Sequence, residues 1–551
     1  MTASTRNSTR TERDTSADSG TDSRSLGLHL LAAAVAVVVL LPLTWLLLAA
    51  QRVGVRQGLE LLLQPDVLQI SINSFLMVGL VTGFSILLGV PMAYLTVRTD
   101  LPFRRFMTVV LALPLVIPSY IGAFAFVSAF SPRGQFQSLL APLGIESIPS
   151  IYGLFGATLI LTLYTYPYVF ITTRAALKSL DTTLVDAART LEHTKWQAFK
   201  RVTFPQIKPA IAAGSLLVSL YALSDFGTPA IMRYDVFTRI IYVEYNSFGG
   251  GRNVAALLSL QLVAVTAFIL AIESRVRDSS DGGIGTDGGY AAGGRASVRL
   301  GPWRWVAALA CLLVAALALL VPLVILSLWL VQGSSASVNY SVDLVGLSLN
   351  SVSVSAAAAL IATLCGLPIA YLAAHRSSRL VGLLERATYV GYAVPGVVLG
   401  LALVYLGATY GGALYRNGII AFPLLVFAYV VRFLPQAVGS TRAGFLQVSE
   451  RLPEAARTLG KTPMGAFRSV TLPLVAPSLL AGAALVFLTT MKELPATLLL
   501  RPPGFTTLVT GIWRAQASAE FGKAAPPALV LLIVSGLSML VLLTMEGYDV
   551  E

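Results

Sequence analysis

Long apolar runs alternate with short polar segments along most of the chain. Each run reaches the roughly 20 residues that an α-helix needs to cross the hydrocarbon core of a bilayer. The pattern therefore predicts an all-α polytopic membrane protein with about 12 transmembrane helices. The runs form two sets of six, at approximately residues 28–50, 69–95, 106–130, 151–174, 207–232 and 253–272, and 303–331, 347–373, 382–408, 418–444, 474–500 and 525–545.

Polar stretches separate and precede the two sets. Residues 1–27 are rich in Ser, Thr, Asp and Arg, which predicts a disordered tail. The apolar run that follows is longer than the core of a cleaved signal peptide, so we interpret it as a retained helix. Residues 277–300 include a Gly-rich segment typical of a flexible linker. We therefore divide the remainder into a first repeat at 28–276 and a second at 301–551.

The composition supports a membrane protein and limits its chemistry. Hydrophobic residues make up 56% of the chain and charged residues 12%, whereas soluble domains carry about 25% charged residues. Basic loops on one side of a membrane explain the net charge of +12, so no nucleic-acid partner is expected. The two cysteines lie in apolar runs and the three histidines are scattered, so neither a disulfide framework nor a metal site is predicted.

One polar stretch occurs twice, 268 positions apart. Residues 186–192 read Asp-Ala-Ala-Arg-Thr-Leu-Glu, and residues 454–460 read Glu-Ala-Ala-Arg-Thr-Leu-Gly. Because each half has six predicted spans, the halves share one orientation and form parallel repeats. Further matches are Phe199 with Phe467 and Pro205 with Pro473 at the same offset, and Asn73-Ser74 with Asn350-Ser351, Gly89 with Gly366, Tyr94 with Tyr371 and Pro118 with Pro395 at an offset of 277.

The repeated stretch resembles the EAA loop of ABC importer permeases, and the match from Glu454 to Pro473 is complete. The resemblance implies the type I ABC importer transmembrane fold, with cores at about 67–273 and 345–545. It also implies a short cytoplasmic coupling helix in each half, docked on a separate ATPase subunit that is expected to be a homodimer. The implied coupling residues are Asp186, Ala187, Ala188 and Glu192 in the first half, and Glu454, Ala455, Ala456 and Gly460 in the second.

Local physics also favours a short helix in the second copy. Pro453 suits the first helical position, and Glu454 places negative charge at the positive end of the helix dipole. Gly460 can end the helix in a positive-φ conformation. The first copy has Glu192 at the matching position, so its helix is expected to end differently. For a single copy, an ordinary amphipathic helix at the membrane surface is an equally good interpretation. Two copies at one offset make that interpretation unlikely.

The distribution of Lys and Arg predicts the orientation. With a cytoplasmic N-terminus, the inside segments hold most of the basic residues, including Arg98, Arg189 and Arg457. Both repeated polar stretches are then cytoplasmic. The predicted location is the cell membrane, as a multi-pass protein embedded in the lipid bilayer.

The sequence shows no catalytic constellation, so we expect a transport subunit and not an enzyme. Gly460-Lys461-Thr462 resembles the end of a phosphate-binding loop, but Ala455 stands where the pattern needs its first glycine. No cofactor is therefore expected in this chain, and ATP is assigned to the partner subunit.

A transport pathway needs helices that bend or break, and polar groups beside them. The proline candidates for such bends are Pro91, Pro114, Pro118, Pro368 and Pro395, although prolines are common in membrane helices. Charges inside spans are costly and so more informative. Asp225 and Glu493 occupy matching positions of the two halves, and we interpret them as candidate pathway residues. Solvated helix ends are an equally good interpretation.

The cargo is suggested by a second resemblance. Segments around residues 161–168, 221–228 and 237–242 resemble the fused permeases of iron(III) importers. That family implies an extracytoplasmic binding protein that delivers the cargo. Fused thiamine permeases, and permeases for sulfate or phosphonates, share the architecture or the motifs. A secondary transporter with two six-helix repeats is a remoter alternative, since it gives no reason for two EAA-like loops.

Overall fold

The computed structural model describes residues 19–130, 136–137, 141, 144, 149–180, 190, 194–247, 251–281, 298–335, 343–376 and 378–545. Within these ranges the chain is helical apart from its connections and one isolated β-bridge, between Thr99 and Val298. The prediction of an all-α protein is confirmed. The bridge holds the end of the linker beside the end of a long helix of the first half.

The first half supplies eleven of the described α-helices. They are α1 Ser19–Val53, α2 Val55–Leu62, α3 Pro65–Arg98, α4 Arg104–Ala112, α5 Ser119–Phe130, α6 Leu154–Ser179, α7 Lys195–Ala198, α8 Phe204–Ser224, α9 Gly227–Ile231, α10 Phe237–Asn246 and α11 Gly251–Asp281.

The second half supplies twelve more in the described ranges. They are α12 Trp303–Ser335, α13 Leu344–His375, α14 Arg379–Ala393, α15 Gly396–Tyr410, α16 Gly412–Arg416, α17 Ala421–Gln447, α18 Arg451–Thr458, α19 Pro463–Ala466, α20 Leu472–Met491, α21 Pro495–Leu500, α22 Leu508–Ala517 and α23 Phe521–Met545.

The polytopic prediction is also confirmed. Nine helices of the described chain are long and apolar enough to cross a membrane, and the number is 11 if each of two bent pairs counts as one span. The twelfth predicted span corresponds to α1, whose apolar section Leu26–Pro42 is shorter than a typical span. α1 begins at Ser19, inside the stretch 1–27 that was expected to be irregular. Extending an existing helix by a few residues costs much less than starting one, which explains the correction.

Two predicted spans are broken at matching positions. The helical axis turns by 93° between Arg104–Val116 and Ser119–Phe130, and by 96° between Arg379–Tyr392 and Gly396–Tyr410. Pro118 and Pro395 stand at these breaks, where the ring and the missing N–H prevent the helix from continuing. The other two repeated prolines, Pro91 and Pro368, lie inside unbroken helices.

Each half is built around a matching pair of long helices. α3 packs on α6 in the first half, and α13 packs on α17 in the second. Gly89 allows the first approach, because a Cβ atom there would lie 2.9 Å from the backbone nitrogen of Phe170. Its repeat partner Gly366 faces Val438 at 3.2 Å in the same way. The repeated glycines therefore mark the crossing points of the helix pairs.

The leading helices of the two halves are exchanged. α1 packs on α13, α14 and α15 of the second half, and its Trp45 ring lies 5.1 Å from that of Tyr410. α12 packs on α4, α5 and α6 of the first half, where the Tyr164 hydroxyl donates to the carbonyl of Ala318 at 3.1 Å. The exchange interlocks the halves into one molecule.

A repeated Asn-Ser pair fixes the helix that follows each short helix α9 and α21. The Ser74 hydroxyl accepts from the N–H of Phe237 at 3.0 Å, and the Ser351 hydroxyl accepts from that of Leu508 at 2.7 Å. The neighbouring Asn73 and Asn350 amides donate to the carbonyls two residues before those N–H groups, at 3.0 and 2.9 Å. The starts of α10 and α22 are thus tied to α3 and α13.

Candidate functional site

α18 carries the polar motif of the second half. It begins at Arg451, so Pro453 is the third helical residue and not the first as predicted. A proline is tolerated there because the first N–H groups of a helix have no partner within it. Glu454 lies in the first turn, where its charge complements the helix dipole.

Gly460 ends α18 as the sequence predicts. Its φ of 86° lies in the left-handed region, which glycine adopts without steric cost. The N–H groups of Gly460 and Lys461 donate to the carbonyls of Arg457 and Ala456 at 3.0 and 3.1 Å. These two hydrogen bonds form a Schellman motif, which provides partners for carbonyls that the helix end would otherwise leave unpaired.

The outer face of α18 combines charge with exposed apolar side chains. Ala456 is buried against the protein, whereas Glu454 and Ala455 are exposed. Leu459 is 85% exposed, and Met464 just beyond it is 59% exposed. Exposed apolar residues beside charged ones are typical of a surface that another protein covers.

Aromatic side chains support α18 from within the bundle. A cleft of about 210 Å³ separates the helix from the ends of α13 and α17. Tyr371 lines this cleft, with its ring 5.4 Å from that of Phe445 and 6.2 Å from that of Phe467. The corresponding Tyr94 of the first half contacts Phe199 edge-on at 5.5 Å. The tyrosine and phenylalanine that repeat separately in the sequence therefore form one contact in each half.

The predicted coupling residues of the first half, Asp186, Ala187, Ala188 and Glu192, lie outside the described residues. The structure describes the chain that follows them. Trp196 of α7 stands where Met464 stands in the second half, and it is 70% exposed. Both halves thus present a large apolar side chain at this position.

A π-helical turn joins each polar segment to the following span. It covers Phe199–Thr203 in the first half and Phe467–Thr471 in the second. Each turn stands two residues before a proline, Pro205 or Pro473, whose missing N–H interrupts the hydrogen-bond ladder. Such turns occur frequently at functional sites, and here each one continues directly into α8 or α20.

Asp225 lies directly after α8, at the centre of a hydrogen-bond cluster. One carboxylate oxygen accepts from the Ser119 hydroxyl at 2.9 Å, and the other accepts from the N–H of Thr228 at 3.0 Å. Ser119 is the first residue after the break at Pro118. The carboxylate therefore connects the end of α8 to the broken helix of the same half.

Glu493 occupies the matching place in the second half but has a cationic partner. Its Oε1 lies 3.0 Å from Nη1 of Arg432 on α17, and the carboxylate is 7% exposed. The same oxygen accepts a hydrogen bond at 3.3 Å from the N–H of Ala496, three residues later. Asp225 likewise accepts from the N–H of the residue three positions later, Thr228. The preceding residue, Lys492, donates to the carbonyl of Leu115 in the first half at 3.0 Å and not to Glu493.

The two candidate pathway residues come close together between the halves. Asp225 and Glu493 interact electrostatically with each other and with Tyr120. Tyr221 of α8 donates to the Ser119 hydroxyl at 3.3 Å, and both Tyr221 and Tyr392, at the end of α14, interact electrostatically with Arg432. The structure thus brings the two acids, the broken helices and several phenol groups to one place.

Arg432 is the residue that the sequence analysis missed. Its charge inside the predicted span 418–444 was a usable signal, because such charges are costly unless they are paired or functional. Comparison of the two repeats does not reveal Arg432, because the matching position of the first half is Tyr164. The expected acidic character of the second-half site is therefore offset by a guanidinium group.

Comparison with known proteins gives the same domain twice. Residues 85–278 and 366–546 match the model of the family described as binding-protein-dependent transport system inner membrane component. These two segments cover more than half of the chain and correspond to the two repeats.

Several curated proteins are similar over most of the chain. The Fe(3+)-transport system permease protein FbpB 2 of Haemophilus influenzae is 31% identical over 94% of this chain and 97% of its own length. The ferric transport system permease protein FbpB of Actinobacillus pleuropneumoniae is 24% identical over 87% of this chain and 71% of its own length. The sulfate transport system permease protein CysT of Escherichia coli matches at 27% identity over 41% of this chain and 81% of its own length. With its duplicated family domain and its multi-pass helical fold, the chain belongs to the binding-protein-dependent transport system inner membrane components, as a permease subunit and not an enzyme.

Proposed function

We propose that this chain is the permease of an ATP-driven importer of iron(III), which receives its cargo from an extracytoplasmic binding protein. The observation that carries the proposal is the similarity to an Fe(3+)-transport permease over nearly the full length of both proteins. A match over both halves is more informative than a match to one repeat, because the passage lies between the halves.

The ATPase partner docks on the two repeated polar segments, at Asp186, Ala187, Ala188 and Glu192 and at Glu454, Ala455, Ala456 and Gly460. The exposed Leu459, Met464 and Trp196 support this assignment, since a helix laid in a partner's groove needs apolar anchors. Two similar segments in one chain need two similar grooves, so the ATPase is a homodimer. It binds the ATP, and this chain binds no cofactor.

The orientation places the N-terminus, the linker and both polar segments in the cytoplasm. The excess of Lys and Arg in those segments supports it. Asp225 and Glu493 then lie beside the passage toward its outer part, where α8 and α20 end.

Import of an oxyanion is the second candidate, because sulfate and molybdenum permeases match one half of the chain at 27% and 29% identity. Uptake by cells with and without the gene separates the candidates. We expect the deletion to abolish uptake of radioactive iron(III) and to leave labelled sulfate and thiamine uptake intact. Loss of sulfate or thiamine uptake with normal iron uptake contradicts the iron assignment and leaves the importer class standing.

A further inference from the structure

The two matching acids have different surroundings. Gly396 of the second half stands at the position of Ser119 in the first. A side chain at Gly396 would collide with both Arg432 and Glu493, so the glycine makes room for the ion pair. In the first half the Ser119 hydroxyl reaches Asp225 instead. One acid is therefore held by a neutral donor and the other by a cation.

A second cation comes from the same half. Lys492 is partly buried and crosses to the carbonyl of Leu115, just before the break at Pro118. This carbonyl belongs to a helix end, where a positive charge is favourable. The matching residue of the first half is Ser224, whose hydroxyl bonds within its own helix at 3.2 Å. Both cations at the meeting point of the halves thus come from the second repeat.

The charges at this point cancel among the described residues. Asp225 and Glu493 supply two negative charges, and Arg432 and Lys492 supply two positive ones. The free energy needed to remove water from a bare trivalent cation grows with the square of its charge. A site with zero net charge attracts the cation too weakly to offset that free energy. If bound anions already balance the charge of the iron, the desolvation free energy at this site is far smaller.

Hydrogen-bond donors are also concentrated here. Arg432 bonds Glu493 through Nη1, and its side chain is 15% exposed. Tyr392, which is 37% exposed, and Tyr221, whose hydroxyl donates to Ser119 at 3.3 Å, both interact electrostatically with it. A guanidinium is a donor group that suits the oxygens of an anion.

We propose that iron crosses this permease as a complex with an oxyanion, and that Arg432 contacts the anion. The proposal rests on the proposed function. Arg432 is then a specificity-determining residue, because it makes the passage favour an anion-bound metal over a bare cation.

The test is double-label uptake into vesicles that contain the permease, its ATPase and ATP, with iron-loaded binding protein outside. ⁵⁵Fe is combined in separate arms with ³²P-phosphate, ¹⁴C-citrate or ¹⁴C-bicarbonate. We expect one anion to accumulate in constant ratio to iron. Iron accumulation with none of the three anions overturns the inference and leaves the proposed function intact. No iron accumulation at all overturns both.

Variants test the contact residue. Arg432→Gln alone leaves Glu493 unpaired and can impair folding, so the informative variant is Arg432→Gln with Glu493→Gln, which keeps the site neutral. We expect it to insert normally but to lose about tenfold in iron and anion uptake, the value of one charged hydrogen bond. The matched control is Arg442→Gln with Glu385→Gln, a 3.0 Å pair between α17 and α14, with uptake close to wild type. Wild-type uptake in the Arg432 double variant contradicts the assigned contact.

Discussion

Ser74 and Ser351 occupy the same position in the two repeats and stabilise the same helix start. Removing either hydroxyl leaves a buried N–H without its partner, which costs about 1–3 kcal/mol. We expect Ser351→Ala to lower the thermal unfolding midpoint of the purified protein in detergent. Ser353→Ala on the same helix is the control, because Ser353 is exposed and bonds only to its own helix. Equal shifts for both variants speak against a specific role of the Ser351 contact.

Asp225 is the candidate pathway residue without a cationic partner among the described residues. Asp225→Ala removes the negative charge, and we expect iron uptake to fall by about five- to tenfold, equivalent to roughly 1–1.4 kcal/mol. Membrane insertion and ATPase association should survive. Ser119→Ala keeps the carboxylate and removes one donor, so its effect should be smaller. If both variants slow uptake equally, the cluster serves only to hold the broken helix in place.

At the scale of elements, α18 gives an asymmetric prediction. Gly460→Arg forces a left-handed conformation on a residue with a side chain, at a cost of about 1–2 kcal/mol, although space for a Cβ is free. We expect weaker association with the ATPase and less transport-linked ATP hydrolysis, measured on purified complexes. Glu454→Arg should act in the same direction through its charge.

The first half supplies the comparison. Its position matching Gly460 is Glu192, which already lacks the glycine, so Glu192→Arg should weaken association less than Gly460→Arg. Equal losses at the two positions count against a special role for the glycine helix end.

Several elements could be predicted because their causes are local. The apolar runs define the spans and Gly460 ends its helix, whereas of the repeated prolines Pro118 and Pro395 stand at breaks and Pro91 and Pro368 do not. The turns of more than 90° at these breaks could not be predicted, because packing against neighbouring helices sets the angle. The exchange of α1 and α12 is likewise a property of tertiary packing, which no local pattern records. The partner of Glu493 was missed because Arg432 lies 61 residues earlier in the chain.

The whole molecule has one orientation, and a single accessible thiol can test it. In a variant lacking Cys311 and Cys365, we expect Ser280→Cys, in the linker 277–300, to react with an impermeant thiol reagent only after the membrane is opened. Asn417→Cys lies in the exposed connection between α16 and α17, which the same orientation puts outside the cell, and it should react in intact cells. Reversed labelling of the two positions contradicts the cytoplasmic assignment of the linker and of α18.

The most direct test of the whole account is transport by purified components. Vesicles are prepared with the permease and its ATPase, ATP is enclosed on the ATPase side, and binding protein loaded with ⁵⁵Fe(III) is added on the other. We predict that iron accumulates only when permease, ATPase, ATP and binding protein are all present, and that accumulation stops when the ATPase cannot hydrolyse ATP. Accumulation driven by an ion gradient without ATP, or transport of sulfate or thiamine in place of iron, would contradict the account.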